Sequence, residues 1–134
     1  MGDLIWRSNS EKIDQPWGEQ ILWSAPWGLR GKVTYIDSGH RTSKKMYTQK
    51  QEIIYLLSGK VKVLAYGKAE FYDSVREDGA KCYNLEPGDT VLIEPSSIYR
   101  ICAEVDSVLI EIQRGQNGAG QDDVVRIEDD YGRT

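Results

Sequence analysis

Apolar and polar residues alternate with a period of two along most of this chain, and Gly, Pro, Asp and Ser interrupt the alternation at short intervals. This spacing is typical of antiparallel strands joined by tight turns. The pattern predicts strands at residues 20–24, 29–36, 44–47, 53–57, 60–66, 81–84, 90–94, 98–103 and 107–113. No segment shows the period of an amphipathic helix, so the sequence predicts an all-β protein.

The connections between these strands can also be predicted. The continuously apolar run 53–57 is expected of a strand covered on both faces, and Ser58-Gly59 then indicates a tight turn that pairs it with 60–66 in a hairpin. Glu86-Pro87-Gly88-Asp89 is a strong turn signal, so a new strand is expected to begin at Thr90. Residues 67–80 and 115–121 are predicted surface loops, and 122–131 a short strand or a docked tail.

Length and charge narrow the class of protein. A chain of 134 residues with a formal charge of −4 is the size of one domain, and its 17 basic residues form no stripe that would follow a nucleic acid. No apolar run is long enough to span a membrane, and residues 1–11 lack the order of a secretory signal. We therefore expect a soluble, cytoplasmic protein with no nucleic-acid or membrane partner. Cys82 and Cys102 are expected to be reduced thiols.

From residue 15 onward the chain resembles a known family. The matching residues are Pro16-Trp17-Gly18, Gly39, Arg41, Ser43, Glu52, Ser58-Gly59, Leu85, Pro87-Gly88-Asp89, Arg100 and the closing run 122–133. They resemble the cupin domain that ends bifunctional type II phosphomannose isomerases, which pair mannose-6-phosphate isomerisation with guanylyltransfer to mannose 1-phosphate. The resemblance implies a single cupin jelly-roll barrel, a double-stranded β-helix, over 15–134, with 1–14 as an N-terminal extension. It also implies a homodimer. The family's nucleotidyltransferase domain is absent from this sequence, so guanylyltransfer is not expected.

The resemblance places non-histidine residues at the customary metal-ligand positions. Glu52 and Gly59 keep the family's spacing, but the two histidine positions of the first motif fall on Tyr47 and Gln49. The third histidine corresponds to Glu94, Ser96 or Tyr99, and the single histidine of the chain, His40, lies outside the motif. Phenols and amides are poor donors for first-row metals. We therefore expect neither a bound metal nor another cofactor.

A row of polar residues on one strand is the candidate binding site. Arg41, Ser43, Lys45, Tyr47 and Gln49 share strand parity, and the resemblance favours a row that faces the barrel interior over one that faces solvent. Candidate ligand-binding residues are Arg41, Lys45, Tyr47, Gln49 and Arg100. Arg100 neighbours Tyr99, so it can enter the same pocket only at a bulge and otherwise forms a surface ion pair.

Glu52 and Tyr99 are the candidate catalytic residues, because an acid/base pair is what a metal-free sugar isomerase would need. A buried carboxylate also needs a cation, and our hypothesis is that Lys45 supplies it. The sequence predicts a metal-free or atypical cupin that binds a sugar or sugar phosphate. The alternative is a mannose-6-phosphate isomerase or related sugar isomerase. Trp6, Trp17, Trp23 and Trp27 either stack on sugar rings or cover a barrel edge or dimer seam.

Overall fold

The computed structural model describes residues 5–72, 79–115 and 123–133. Eleven strands make up the fold: β1 (Glu11–Gln15), β2 (Gly18–Ser24), β3 (Leu29–Ile36), β4 (Lys44–Tyr47), β5 (Lys50–Ser58), β6 (Val61–Lys68), β7 (Lys81–Leu85), β8 (Thr90–Ile93), β9 (Ser97–Ala103), β10 (Ser107–Gly115) and β11 (Val124–Glu128). These residues include the short 3₁₀ turn Ala69–Phe71, and none of their helices is long and apolar enough to cross a membrane. The all-β prediction is confirmed.

The strands form two antiparallel sheets that face each other as a jelly roll. One sheet has six strands in the order β1-β2-β3-β10-β5-β8, and the other has five in the order β11-β4-β9-β6-β7. The predicted bounds of β3 and β4 agree with the structure to the residue. β1 pairs with β2 along its whole length, so the sheet includes residues that the sequence assigned to the N-terminal extension. The predicted tail is confirmed as a strand, β11, paired with β4.

The predicted hairpin between 53–57 and 60–66 is wrong. β5 belongs to the six-stranded sheet and β6 to the five-stranded sheet, so the Ser58-Gly59 turn carries the chain from one sheet to the other. Gly59 has φ +96°, and a Cβ there would lie 2.6 Å from the Asp106 carbonyl oxygen. The backbone amide of Lys60 then donates to Ser107 Oγ at 3.1 Å. These contacts with the segment before β10 fix the change of sheet, and the local sequence does not show them.

β5 is also not covered on both faces. Ile54 and Leu56 point into the barrel and are fully buried, whereas Ile53, Tyr55 and Leu57 lie on the outer face and are exposed. The strand is therefore a half-buried one in which both faces are apolar. The predicted turn before β8 is confirmed: Gly88 has φ +98°, and Asp89 N donates to the Glu86 carbonyl at 2.9 Å.

The barrel interior has an apolar part and a polar part. Side chains from both sheets form the apolar core, among them Ile36, Ile54, Leu56, Val61, Val63, Ile101 and Leu109. Toward the end of the barrel where β3 and β5 begin and β10 ends, the same inward positions carry Lys32, Lys50, Glu52, Glu111 and Gln113, all buried. A fold that buries so many charges at one end must satisfy them there, so this end is the candidate site.

Candidate functional site

A cavity of about 180 Å³ opens at this polar end of the barrel. Its walls come from both sheets and from the C-terminal segment. They comprise Ile13, Gln15, Trp17, Gln20, Leu22, Arg30, Lys32, Ser43, Lys45, Tyr47, Val124, Arg126 and Arg133. Five of these side chains are cationic and none is a carboxylate, counting only the part of the chain that the structure describes. The cavity is therefore suited to an anion.

Lys32 and Tyr47 meet across the cavity. Lys32 is 5% exposed, and its Nζ donates to Tyr47 Oη at 2.8 Å. Burial by itself would lower the pKa of Lys32, but the phenol of Tyr47 and the carboxylates of Glu111 and Glu52 outweigh it and raise the pKa above its usual value. Lys32 is therefore a permanently charged ammonium between the cavity and two buried carboxylates.

Glu52 lies deeper in the barrel and is only 1% exposed. Its two oxygens accept hydrogen bonds from Tyr99 Oη and from Gln113 Nε2, each at 2.5 Å. Burial and the charge of Glu111 raise the pKa of Glu52, while Lys32, the Tyr99 hydrogen bond and Lys45 oppose the rise. Burial, followed by the charge of Glu52, raises the pKa of Tyr99, so this phenol is a neutral donor. The structure thus brings the two predicted catalytic residues into direct contact.

The Lys45–Glu52 ion pair that we predicted does not form. Lys45 Nζ lies over the ring of Tyr99, 5.4 Å from its centroid, and no ion pair within 4.0 Å joins it to Glu52 in the described chain. Lys45 lines the cavity instead, with Ser43 and Tyr47 as predicted. The cation with the larger effect on Glu52 is Lys32. It reaches the carboxylates because it stands on the six-stranded sheet that also carries Glu52 and Glu111.

A row of hydrogen bonds connects the cavity rim to the second buried carboxylate. Arg133 Nη1 donates to Gln15 Oε1 at 2.7 Å, and Gln15 Nε2 donates to Gln20 Oε1 at 3.0 Å. Gln20 Nε2 donates to Thr34 Oγ1 at 3.1 Å, and the Thr34 hydroxyl donates to Glu111 Oε2. Each donor points inward, so the row holds the amides of the cavity wall in one orientation.

Lys50 is a buried ammonium that lacks a hydrogen-bond acceptor among the described residues. It is 2% exposed, and its Nζ makes no hydrogen bond within the described residues. It lies 5.5 Å from the centroid of the Tyr47 ring, which Lys32 approaches to 5.2 Å. Burial, and next the charge of Arg30, lower the pKa of Lys50. A buried donor beside other cations is expected to gain from a bound anion.

Three of the predicted ligand-binding residues lie elsewhere. The Arg41 guanidinium is outside the barrel and donates twice to Asp130, at 2.5 and 2.9 Å. Arg100 points away from the cavity, as strand parity requires, and donates to the Thr42 carbonyl and to Asp130. Gln49 is exposed, because a turn between β4 and β5 breaks the alternation and brings Lys50 inward instead. The row that we predicted is interior only at 43, 45 and 47.

The residues present do not fit the metal that cupins customarily bind. Both oxygens of Glu52 accept hydrogen bonds from Tyr99 and Gln113, and the Tyr47 oxygen accepts a hydrogen bond from the Lys32 ammonium. No group of three or more His, Cys, Asp or Glu side chains capable of holding a metal occurs within 5–72, 79–115 and 123–133. His40 lies outside the barrel, stacked on Tyr131. A divalent ion would also meet the charges of Lys32 and Lys45.

Sequence reasoning missed most of the cationic lining. The lining residues it missed are Arg30, Lys32, Arg126 and Arg133, and it also missed the buried Lys50 near the Tyr47 ring. A signal was present in β3, where Arg30, Lys32 and Thr34 share the parity of the buried Ile36. The opposite face of β3 carries Val33 and Tyr35, so periodicity alone favoured the wrong face.

Comparisons with known proteins agree with the fold. No protein-family model matches the chain, and neither does any curated protein sequence. Solved structures do match: the capsular polysaccharide assembling protein CapF from Staphylococcus aureus superposes with a TM-score of 0.71 at 16% identity, over 92% of this chain and 33% of CapF. Bacillus subtilis oxalate decarboxylase, described with Mn(II) centres, gives 0.68 at 15% identity, over 87% of this chain and 30% of the enzyme.

KdgF from a Halomonas species gives a TM-score of 0.63 at 17% identity, over 80% of this chain and 87% of KdgF. These are cupin-fold proteins, and the jelly roll described above is a cupin barrel. The chain spans about a third of the length of CapF and of oxalate decarboxylase. At these identities the likeness concerns the fold.

Proposed function

We propose that this protein is a metal-free cupin that binds a phosphorylated sugar in the cationic cavity. The observation that carries the proposal is the cavity wall, which has five cationic side chains and no carboxylate among the described residues. The ammonium of Lys50, which lacks a hydrogen-bond acceptor among these residues, lies 5.5 Å from the ring of Tyr47. The resemblance of residues 15–133 to mannose-6-phosphate isomerase domains supports the class of ligand, since it links the chain to sugar phosphates.

The wall supplies suitable groups for such a ligand. Arg30 makes no hydrogen bond or ion pair with the described residues, so its guanidinium is available for a bidentate contact with phosphate. Lys32, two residues along β3, and Lys45, on β4 across the cavity, would add charge. The Gln15 and Gln20 amides, the Tyr47 hydroxyl and Ser43 are placed to orient sugar hydroxyls, because all of them line the same cavity.

Binding is favoured over isomerisation by the position of the acid/base candidates. Glu52 and Tyr99 hydrogen-bond each other and do not line the cavity, so a ligand there would contact Lys32 and Tyr47 first. General acid/base catalysis needs the carboxylate within hydrogen-bond reach of the substrate.

Isothermal titration of the purified protein with mannose 6-phosphate, mannose and inorganic phosphate at constant ionic strength tests the proposal. We expect saturable binding of mannose 6-phosphate at one site and at least about tenfold weaker binding of mannose, because loss of the phosphate removes about 1.4 kcal/mol or more. Arg30→Met should weaken mannose 6-phosphate about tenfold. The control Lys62→Met removes a surface charge paired with Glu104 and should change nothing. Equal affinity for mannose and its phosphate, or no binding of either, would contradict the proposal.

A further inference from the structure

The turn between β2 and β3 holds a tryptophan in an unusual backbone conformation. Trp27 has φ +67° and is followed by Gly28 at φ +74°. Large side chains rarely adopt this left-handed region, which Gly and Asn occupy at much lower cost. Strain of this kind often accompanies a functional role of the residue concerned. The turn thus carries a bulky aromatic ring where a glycine would fold more easily.

The ring of Trp27 is not used to build the core. It is 75% exposed, and its one aromatic neighbour, Trp6, is 67% exposed. The two ring centroids are 6.4 Å apart and the planes meet at 83°, so the pair forms an edge-to-face contact in which both indoles still face solvent. Trp23, on the same hairpin, lies instead over Gly31 of β3. The tryptophans of this hairpin therefore differ in environment.

The turn lies at the cationic end of the barrel. Gly115 N donates to the Gly28 carbonyl at 2.9 Å, and Gly115 stands opposite Lys50 in the β10–β5 register. Arg30 follows two residues after Gly28 on β3 and lines the cavity. Trp27 therefore lies at the same end of the barrel as the cavity, on the hairpin that supplies part of the cavity wall.

We propose that Trp27, supported by Trp6, is a stacking platform for a second sugar ring, so that the ligand is a phosphorylated oligosaccharide. This inference rests on the proposed function. The cavity, at about 180 Å³, is smaller than the ~300–1,000 Å³ of typical small-molecule sites. A further ring must lie outside the cavity, and the apolar face of a pyranose packs well on an exposed indole.

Two probes with the same phosphate-bearing ring test the inference: glucose 6-phosphate and trehalose 6-phosphate. Titration calorimetry should give about tenfold tighter binding of trehalose 6-phosphate to the wild-type protein. Trp27→Gly should reduce this ratio to near one while the affinity for glucose 6-phosphate stays unchanged, and its melting temperature should equal or exceed that of the wild type, because Gly relieves the strain. Trp27→Asn, which also tolerates positive φ, should behave in the same way. Trp23→Leu is the matched control and should keep the tenfold ratio.

Several results would refute the stacking platform at Trp27. If both probes bind the wild type equally, or if the ratio survives Trp27→Gly and Trp27→Asn, the platform is refuted while the anion site stands. If the two variants instead halve the molar mass in light scattering and leave the ratio intact, Trp27 belongs to a subunit contact and the inference is wrong. If neither probe, mannose 6-phosphate nor inorganic phosphate binds, the proposed function fails and the platform fails with it; if mannose 6-phosphate binds and neither probe does, the platform is refuted while the anion site stands.

Discussion

Replacing Lys32 by Met is the most informative single change in the barrel. The substitution keeps much of the side-chain volume but removes the cation whose charge acts on both Glu111 and Glu52, together with the 2.8 Å hydrogen bond to Tyr47. Removing one member of a buried charge arrangement costs about 3–5 kcal/mol, because the remaining charge stays buried. For a domain of this size we expect the melting temperature to fall by about 10–15 °C.

Lys45→Met is the matched comparison. Lys45 is also buried, but its Nζ has only a cation–π contact with Tyr99 and no carboxylate at ion-pair distance in the described residues, so we expect a loss of about 1 kcal/mol. Adding Glu111→Leu to Lys32→Met removes one of the stranded carboxylates. The double variant should recover about 2 kcal/mol relative to the sum of the single changes.

Urea unfolding followed by circular dichroism measures the wild type, the three single variants including Glu111→Leu, and the double variant, and the slope m shows whether the denatured states are comparable. The reasoning is refuted if Lys32→Met costs less than about 1 kcal/mol. If Lys45→Met is instead the more damaging change, Lys45 is the counter-ion, as the sequence first suggested.

Three further outcomes are expected. Arg133 holds the pKa of Asp129 down to about 2, so the carboxylate stabilises the fold above its unfolded pKa of ~3.9. Asp129→Asn should therefore cost about 2 kcal/mol of folding free energy at pH 7, and acid titration should show this difference disappearing as the pH falls toward 2. A difference that does not depend on pH would contradict the pairing. Elemental analysis should find well under one equivalent of transition metal, and a chelator should leave the melting temperature unchanged; a stoichiometric metal would overturn the metal-free proposal. Light scattering should give a homodimer of the 15.2 kDa chain. Tyr55→Lys, on the apolar outer face of the six-stranded sheet, should convert the dimer to a monomer, and a wild-type monomer at micromolar concentration would exclude the dimer.

Most of the fold could be predicted from the sequence because its strands and turns are encoded locally. β3 lies between the turn at Gly28 and the turn after Ile36, and the Pro87-Gly88 turn sets the start of β8. The sheet to which each strand belongs was harder to predict from the sequence. β5 and β6 are separated by a turn that would suit a hairpin, and only the contacts of Gly59 with the distant Asp106 segment decide otherwise.

The site was less predictable because the outer face of the barrel is nearly as apolar as the core. In β10 the buried positions are Leu109, Glu111 and Gln113, while Ile110 and Ile112 point outward. Hydrophobicity would place the isoleucines inside and the polar residues in solvent. Tyr47, Glu52 and Tyr99 were found because a family pattern marks their positions, and that pattern contains no signal for Lys32 or Lys50, which stand elsewhere on the sheet.

The hydrogen bond between Arg133 and Gln15 joins residues that are 118 positions apart. Since Ile13–Leu22 and Val124–Arg133 both contribute to the cavity wall, the wall cannot be finished before residues 124–133 have left the ribosome. At a synthesis rate of about 5–20 residues per second, most of the sheet is available seconds before Arg133 is. Long-range pairing of this kind is also slow to form in refolding. Competence to bind an anion should therefore appear only after the β-sheet circular dichroism of the folding domain has reached the native value.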